Sequence, residues 1–99
     1  MSRFDLHQGR GAIDYYLNIQ HEFHDHLSTR MVIPAIATHR VINPTRGLHL
    51  PLTIFDAPYY LVTPMMAALP SQTLGKPVGN VADQSRDITS AIDFLLQGF

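Results

Sequence analysis

The pattern of apolar and polar positions changes character once along this chain, near residue 84. Before that point proline and glycine recur at short intervals: Pro34, Pro44, Gly47, Pro51, Pro58, Pro64, Pro70, Gly75, Pro77 and Gly79. Only short segments fit between such breakers, and short segments are usually strands. In Tyr15-Tyr16-Leu17-Asn18-Ile19 the residues Tyr15, Leu17 and Ile19 fall on one face, as a half-buried strand requires. Strands are therefore predicted over Phe4–Leu6, Tyr15–Ile19, Met31–Ile36, Leu50–Phe55 and Tyr59–Thr63, with a weaker one over Ser71–Leu74. The stretch Phe55-Asp56-Ala57-Pro58-Tyr59 reads as a tight connection between the fourth and fifth of these, making a hairpin. Within it Tyr59 and Tyr60 point to opposite faces, so one of the two is expected to be buried with its hydroxyl paired.

From residue 84 to 97 the period becomes helical. Ile88, Ala91, Ile92, Leu95 and Phe99 share one face, and Thr89, Ser90, Asp93 and Gln97 take the other. Asp83 or Ser85 can supply the N-cap oxygen, and Asp87 places a negative charge near the positive end of the helix. Placed at about 100° per residue, the apolar arc runs from Phe94 round to Leu96 and spans about 200°. A single core needs little more than about 100°. The excess predicts a second buried surface, most simply another copy of the chain, with Ile92, Leu95 and Phe99 as the interface. The alternative is that the strands wrap one wide helix.

Composition narrows the class. The chain has 99 residues, 45% of them hydrophobic and 15% charged, which excludes a disordered polymer and implies one domain over 1–99. Seven basic against eight acidic residues give a net charge of −1, the wrong balance for gripping phosphate backbones. No apolar run approaches the roughly 20 residues of a membrane span, and Met1–Asp5 does not open a secretory signal. Without cysteine there are no disulfides or thiolate clips, which suits a cytoplasmic location.

Several stretches, in order, resemble the CcdB family of plasmid-maintenance toxins. Arg30-Met31-Val32-Ile33-Pro34 is the most specific. It is followed by Ala37-Thr38-His39-Arg40, by Leu50-Pro51-Leu52, and by Thr63-Pro64-Met65-Met66-Ala67-Ala68-Leu69-Pro70. Leu74-Gly75, then Asp87-Ile88, Ala91-Ile92 and Gly98, complete a match over nearly the whole length.

The resemblance implies a mainly β (α+β) fold, an SH3-like barrel with a C-terminal helix, shared with the MazF and PemK toxins. It also implies a homodimer whose helices meet near the twofold axis, and a toxin that does no chemistry and uses no cofactor. The expected target is DNA gyrase, bound through its DNA-cleaving A-type subunit and held in its cleaved-DNA state, with a CcdA-like antitoxin neutralising the toxin. Carried over position by position, the gyrase contacts are Phe23 and His24 from an early loop, and Asp93, Leu96, Gln97, Gly98 and Phe99 from the helix end. Well-known gyrase poisons of the family carry Trp at the position of Gln97 and Asn at that of Asp93, and an aliphatic residue where this chain ends in Phe99. A Trp pair can stack on an arginine by cation–π contact, worth about 0.5–2 kcal/mol; Gln97 cannot. A third possibility is therefore a protein that keeps antitoxin binding without poisoning gyrase.

Other clusters carry competing readings. His21-Glu22-Phe23-His24-Asp25-His26 has imidazoles and carboxylates but not the spacing of a zinc site, so no metal is expected. A MazF-like ribonuclease would need an acid–base pair beside a cation, and His39 with Arg40, or Arg30 with His49, are the candidates. Their basic residues form no stripe, which favours ordinary surface roles. Met65 and Met66 are expected in core or dimer interface.

Overall fold

The alternating segments form a curled antiparallel sheet, seen in a computed structural model that describes residues 2–22 and 26–98. Its strands are β1 (Asp5–Gln8), β2 (Tyr15–Asn18), β3 (Thr29–Ala37), β4 (His49–Ile54), β5 (Ala57–Val62), β6 (Ala67–Pro70) and β7 (Gly79–Asn80). The spatial order is β4-β5-β3-β2-β1-β7, with β6 also paired to β3. The single α-helix among the described residues, α1, runs over Ser85–Gln97. This half-barrel with a C-terminal helix is consistent with the SH3-like architecture that the family resemblance implies.

The longest strand organises the sheet. One edge of β3 pairs with β2, while the other is divided between β6, which takes Thr29–Val32, and β5, which takes Ala35–Ala37. Asp14 N–H donates to the Ala35 carbonyl and Ile19 N–H to that of Met31, so the odd-numbered residues of β3 turn their backbone groups toward β2. Pro34, an even position, therefore turns its missing donor toward the gap between β5 and β6. A proline is tolerated mid-strand because no ladder bond is asked of it there.

Directly opposed residues share a face. The register Leu6–Leu17–Ile33 and Ala35–Leu61–Leu50 thus aligns an apolar stripe, joined by Phe4, Leu52, Ile54 and Val81. Ile88 of the helix is fully buried against it and Ile92 packs at its margin. The opposite face of β1 and β2 is covered by the return segment after β6. Val78 N–H donates to the Leu6 carbonyl, Leu74 is buried, and the His7 Nδ1–H meets the Gly75 carbonyl at 3.2 Å.

Four sequence-based expectations need correction. Ser71–Thr73 is a 3-10 turn, and the strand lies one segment earlier, at Ala67–Pro70, where the free edge of β3 recruits it. Neither Asp83 nor Ser85 caps the helix. It is entered through a 3-10 turn, Ala82–Gln84, whose first N–H is taken by Asn80 Oδ1 at 2.8 Å. Gln84 instead extends the sheet edge, its amide bonding both the N–H and the carbonyl of Thr53 at 3.0 and 2.8 Å. The strand predicted from Phe4 begins at Asp5, because Phe4 has φ +71. Tyr59 and Tyr60 do face opposite ways, but both are half-buried: Tyr59 stands edge-on to Tyr15 at 5.5 Å and Tyr60 edge-on to His49 at 5.9 Å. Burial, with Tyr15 alongside, pushes the Tyr59 hydroxyl pKa up.

The β4–β5 hairpin has the predicted position. Its central residues Phe55 and Asp56 both have positive φ, +50 and +62, the requirement of a type I′ turn. Phe55 is bulky for that region. Its ring is accommodated edge-on to Tyr15 at 6.0 Å and against Gly79, where an added Cβ would stand 3.0 Å from the ring.

Candidate protein-binding site at the helix end

The helix resolves the question posed by its wide apolar arc. Ile88 and Ala91 are buried on the barrel, and Ile92 and Leu95 are half-buried. The two margins of the arc stay outside: Phe94 is 40% exposed and Leu96 is 69% exposed. The barrel takes the middle of the stripe and leaves its flanks, so the strands do not wrap the whole face. Of the residues expected at a dimer interface, Ile92 packs against the chain's own core and Leu95 is half-buried, while Phe99 lies outside the described residues.

The tip has a defined geometry. Gly98, at φ +80, ends the helix in the left-handed region, where its missing Cβ removes the steric penalty. Its N–H donates to the Phe94 carbonyl at 2.8 Å. Asp93 and Gln97 are four residues apart, hence one above the other on a helix, with Leu96 beside them. All three are exposed. No basic residue stands in the last turn. The carbonyls of that turn without an intrahelical partner among the described residues, the negative end of the helix dipole and the Asp93 carboxylate therefore reinforce one another. The result is an apolar residue, an amide and a carboxylate on an electronegative tip, a surface suited to a partner's cationic side chain flanked by apolar ones. Phe23 and His24, the other positions expected to meet a target, lie outside the described residues.

The remaining candidates resolve differently. Arg40 donates to the Ala12 carbonyl at 3.1 Å and pairs with Asp14, whose carboxylate also accepts the Ala37 N–H at 2.8 Å. Burial alone would raise the Asp14 pKa; the Ala37 N–H and Arg40 outweigh it and hold the carboxyl below its usual value. Arg40 thus locks the start of β2 to the end of β3. Arg30 is only 2% exposed, on the ribbon formed with β6, and His49 lies across the fold at the start of β4, its Nδ1 accepting the Thr45 N–H at 2.9 Å. Neither arginine is presented to a phosphate. His21 and Glu22 stand on one side of the undescribed stretch and His26 on the other; among the described residues no group of His, Asp and Glu is arranged to hold a metal. Among the same residues no helix is long and apolar enough to cross a membrane.

One feature had little signal in the sequence. His7 is fully buried, its Nδ1–H spent on Gly75 and its Nε2 without a partner among the described residues. Burial pushes its pKa down against the opposing pull of the Gly75 carbonyl and Asp5. His7 lies between Leu6 and Gln8 in an alternating strand and reads as the solvent side; only the overlying Leu74–Gly75 segment buries it.

No curated protein matches the chain. A family model, described as CcdB protein, matches residues 3–98 of the 99. The match runs through every strand and the helix to its glycine cap, and with the curled sheet, the C-terminal helix and the exposed tip it makes the chain a member of the CcdB family, the toxins of toxin–antitoxin pairs.

Proposed function

We propose that this toxin acts as a homodimer that binds the DNA-cleaving A-type subunit of DNA gyrase through its helix ends and holds the enzyme on cleaved DNA, and that a CcdA-like antitoxin neutralises it. Its action is then binding without chemistry, in the cytoplasm where gyrase works. The observation that carries this function is the uncovered tip: Leu96 and Phe94 exposed on either side of a helix whose middle is already buried. Exposed apolar margins on a charged rim are the mark of a surface made for another protein. Gln97 stands where strong poisons of the family have an indole. In its place the acidic tip, with Asp93 and the carbonyls of the last turn, offers charge rather than a ring face to an arginine. Charge-assisted contact of that kind loses strength as salt rises, whereas stacking on a ring is less affected.

The test is purified protein with gyrase, supercoiled plasmid and ATP, stopped with detergent and protease. Linear plasmid is the expected product, at a higher protein concentration than a Trp-bearing family member needs. Gln97→Trp should lower that concentration, and Asp93→Lys should abolish linear product while leaving the size of the protein in light scattering unchanged. Intact plasmid at every concentration would reject gyrase poisoning. If such a protein still binds a CcdA-like peptide tightly, the remaining function is antitoxin binding alone, which the absence of the indole favours. Cleavage of RNA in a parallel reaction would point instead to a MazF-like enzyme, a function that the engaged Arg40 and buried Arg30 disfavour.

A further inference from the structure

On the other flank of α1 lies a cleft of about 540 Å³, between the helix and the segment leading into β4. Its size falls within the about 300–1,000 Å³ usual for small-molecule sites. The apolar surfaces are Leu50 and Pro51 on one side and Ala91 and Phe94 on the other. The loop wall is built rather than loose. The Leu48 and His49 N–H groups both donate to the Thr45 carbonyl, at 3.0 and 2.9 Å, and the Thr45 N–H donates to His49 Nδ1 at 2.9 Å. Gly47, at φ +87, brings the turn against Phe94 so closely that a Cβ there would stand 2.9 Å from the ring.

The hydrogen bond to His49 sets the chemistry of that wall. A backbone N–H can only donate, so Nδ1 must present its lone pair and the proton sits on Nε2. His49 therefore offers a donor, and Arg46 adds a guanidinium on the same side. The helix wall contributes acceptors, the Asp87 carboxylate and the Ser90 hydroxyl. Among the described residues neither the Arg46 nor the Asp87 side chain has an ion-pair or hydrogen-bond partner. Donors on one wall, acceptors on the other and an apolar slot between them define a polarity for whatever enters.

We propose that this cleft is a binding site for a small aromatic acid: a flat apolar body on Phe94 and Leu50, an anionic group toward Arg46 and His49, and an N–H or O–H donor toward Asp87 and Ser90. The site shares only Phe94 with the proposed gyrase surface. At about 100° per residue, the centre of Asp87, Ser90 and Phe94 is turned about 100° from the centre of Asp93, Leu96 and Gln97, with Gln97 on the near side. A ligand seated on Phe94 nonetheless touches the helix that carries the tip.

Indole-3-acetate has the required ring, carboxylate and N–H and serves as the probe, with indole as the partner lacking the anion. Titrated into 15N-labelled protein, indole-3-acetate should give saturable amide shifts confined to residues 44–51 and 87–94 and to Tyr60. Indole should bind at least about fivefold more weakly, as should indole-3-acetate to Arg46→Gln, since each removes one charge-assisted contact. Ser90→Trp, at an exposed position, should fill the cleft and abolish binding with the thermal melt preserved. Shifts centred elsewhere, no saturation by about 10 mM, which corresponds to less than about 3 kcal/mol of binding, or equal affinity in Arg46→Gln would each overturn the proposal. None of these readouts involves gyrase, so this site and the gyrase surface stand or fall separately.

Discussion

Ile88 and Leu96 are both apolar residues of α1, yet the fold uses them in opposite ways, and replacing each tests that difference. Ile88→Ala removes three carbons from a side chain with 0% exposure. At about 0.8 kcal/mol per buried methylene the transfer loss is about 2.4 kcal/mol. Incomplete collapse of the cavity adds to it, for a total of about 3 kcal/mol, inside the about 2–5 kcal/mol range for such truncations. With an unfolding entropy of roughly 0.2 kcal/mol/K for a chain of this size, the melting temperature should fall by about 15 °C. Leu96→Gln replaces a 69% exposed side chain with another good helix former and should cost at most about 0.5 kcal/mol in the single chain. The assay is urea unfolding of the two variants and the parent, repeated over a hundredfold range of protein concentration. A Leu96 effect that appears only at high concentration belongs to an assembly, because coupled dissociation makes stability depend on concentration. If Leu96→Gln costs as much as Ile88→Ala at every concentration, Leu96 is core, and the exposed tip is not a docking surface.

Further expectations come from the polar interior. His7 is held neutral by burial, so the unfolded chain binds its proton more readily; stability is full above about pH 6.5, the unfolded value, and declines below it. His7→Asn, which keeps a donor for Gly75, should flatten the slope of melting temperature between pH 7 and 5, and equal slopes would show that another group governs it. Asp14 has a lowered pKa, so its contribution is present at neutral pH and lost as the pH falls through that lowered value. Because the pair is partly exposed, Asp14→Asn should cost only about 1 kcal/mol at pH 7 and almost nothing in strong acid, measured by chemical denaturation. Gly9→Ala would drive a Cβ into the Ile13 carbonyl oxygen, a backbone atom that cannot step aside, and should disrupt the β1–β2 turn, read as loss of the amide signals of residues 9–14.

The amino-acid order by itself determined the elements whose periodicity is local. The alternation Tyr15, Leu17, Ile19, the run from Ile88 to Leu95 and the positions of proline and glycine state where strands stop and the helix starts, because side-chain direction repeats every two or 3.6 residues whatever lies nearby. Family-like stretches such as Arg30–Pro34 added the topology that periodicity lacks. What only the tertiary structure decided depends on residues far apart in the chain. Ala67–Pro70 is a strand because β3 has an edge free beyond β5, and His7 is buried because Leu74 and Gly75 return over it. Gln84 bonds a strand instead of capping a helix because Thr53 lies opposite. The wide apolar arc of α1 announced two surfaces, but which residues faced the barrel and which faced outward was set by the curvature of the sheet. Burial is a property of neighbours, and neighbours across a curled sheet are chosen by the fold as a whole.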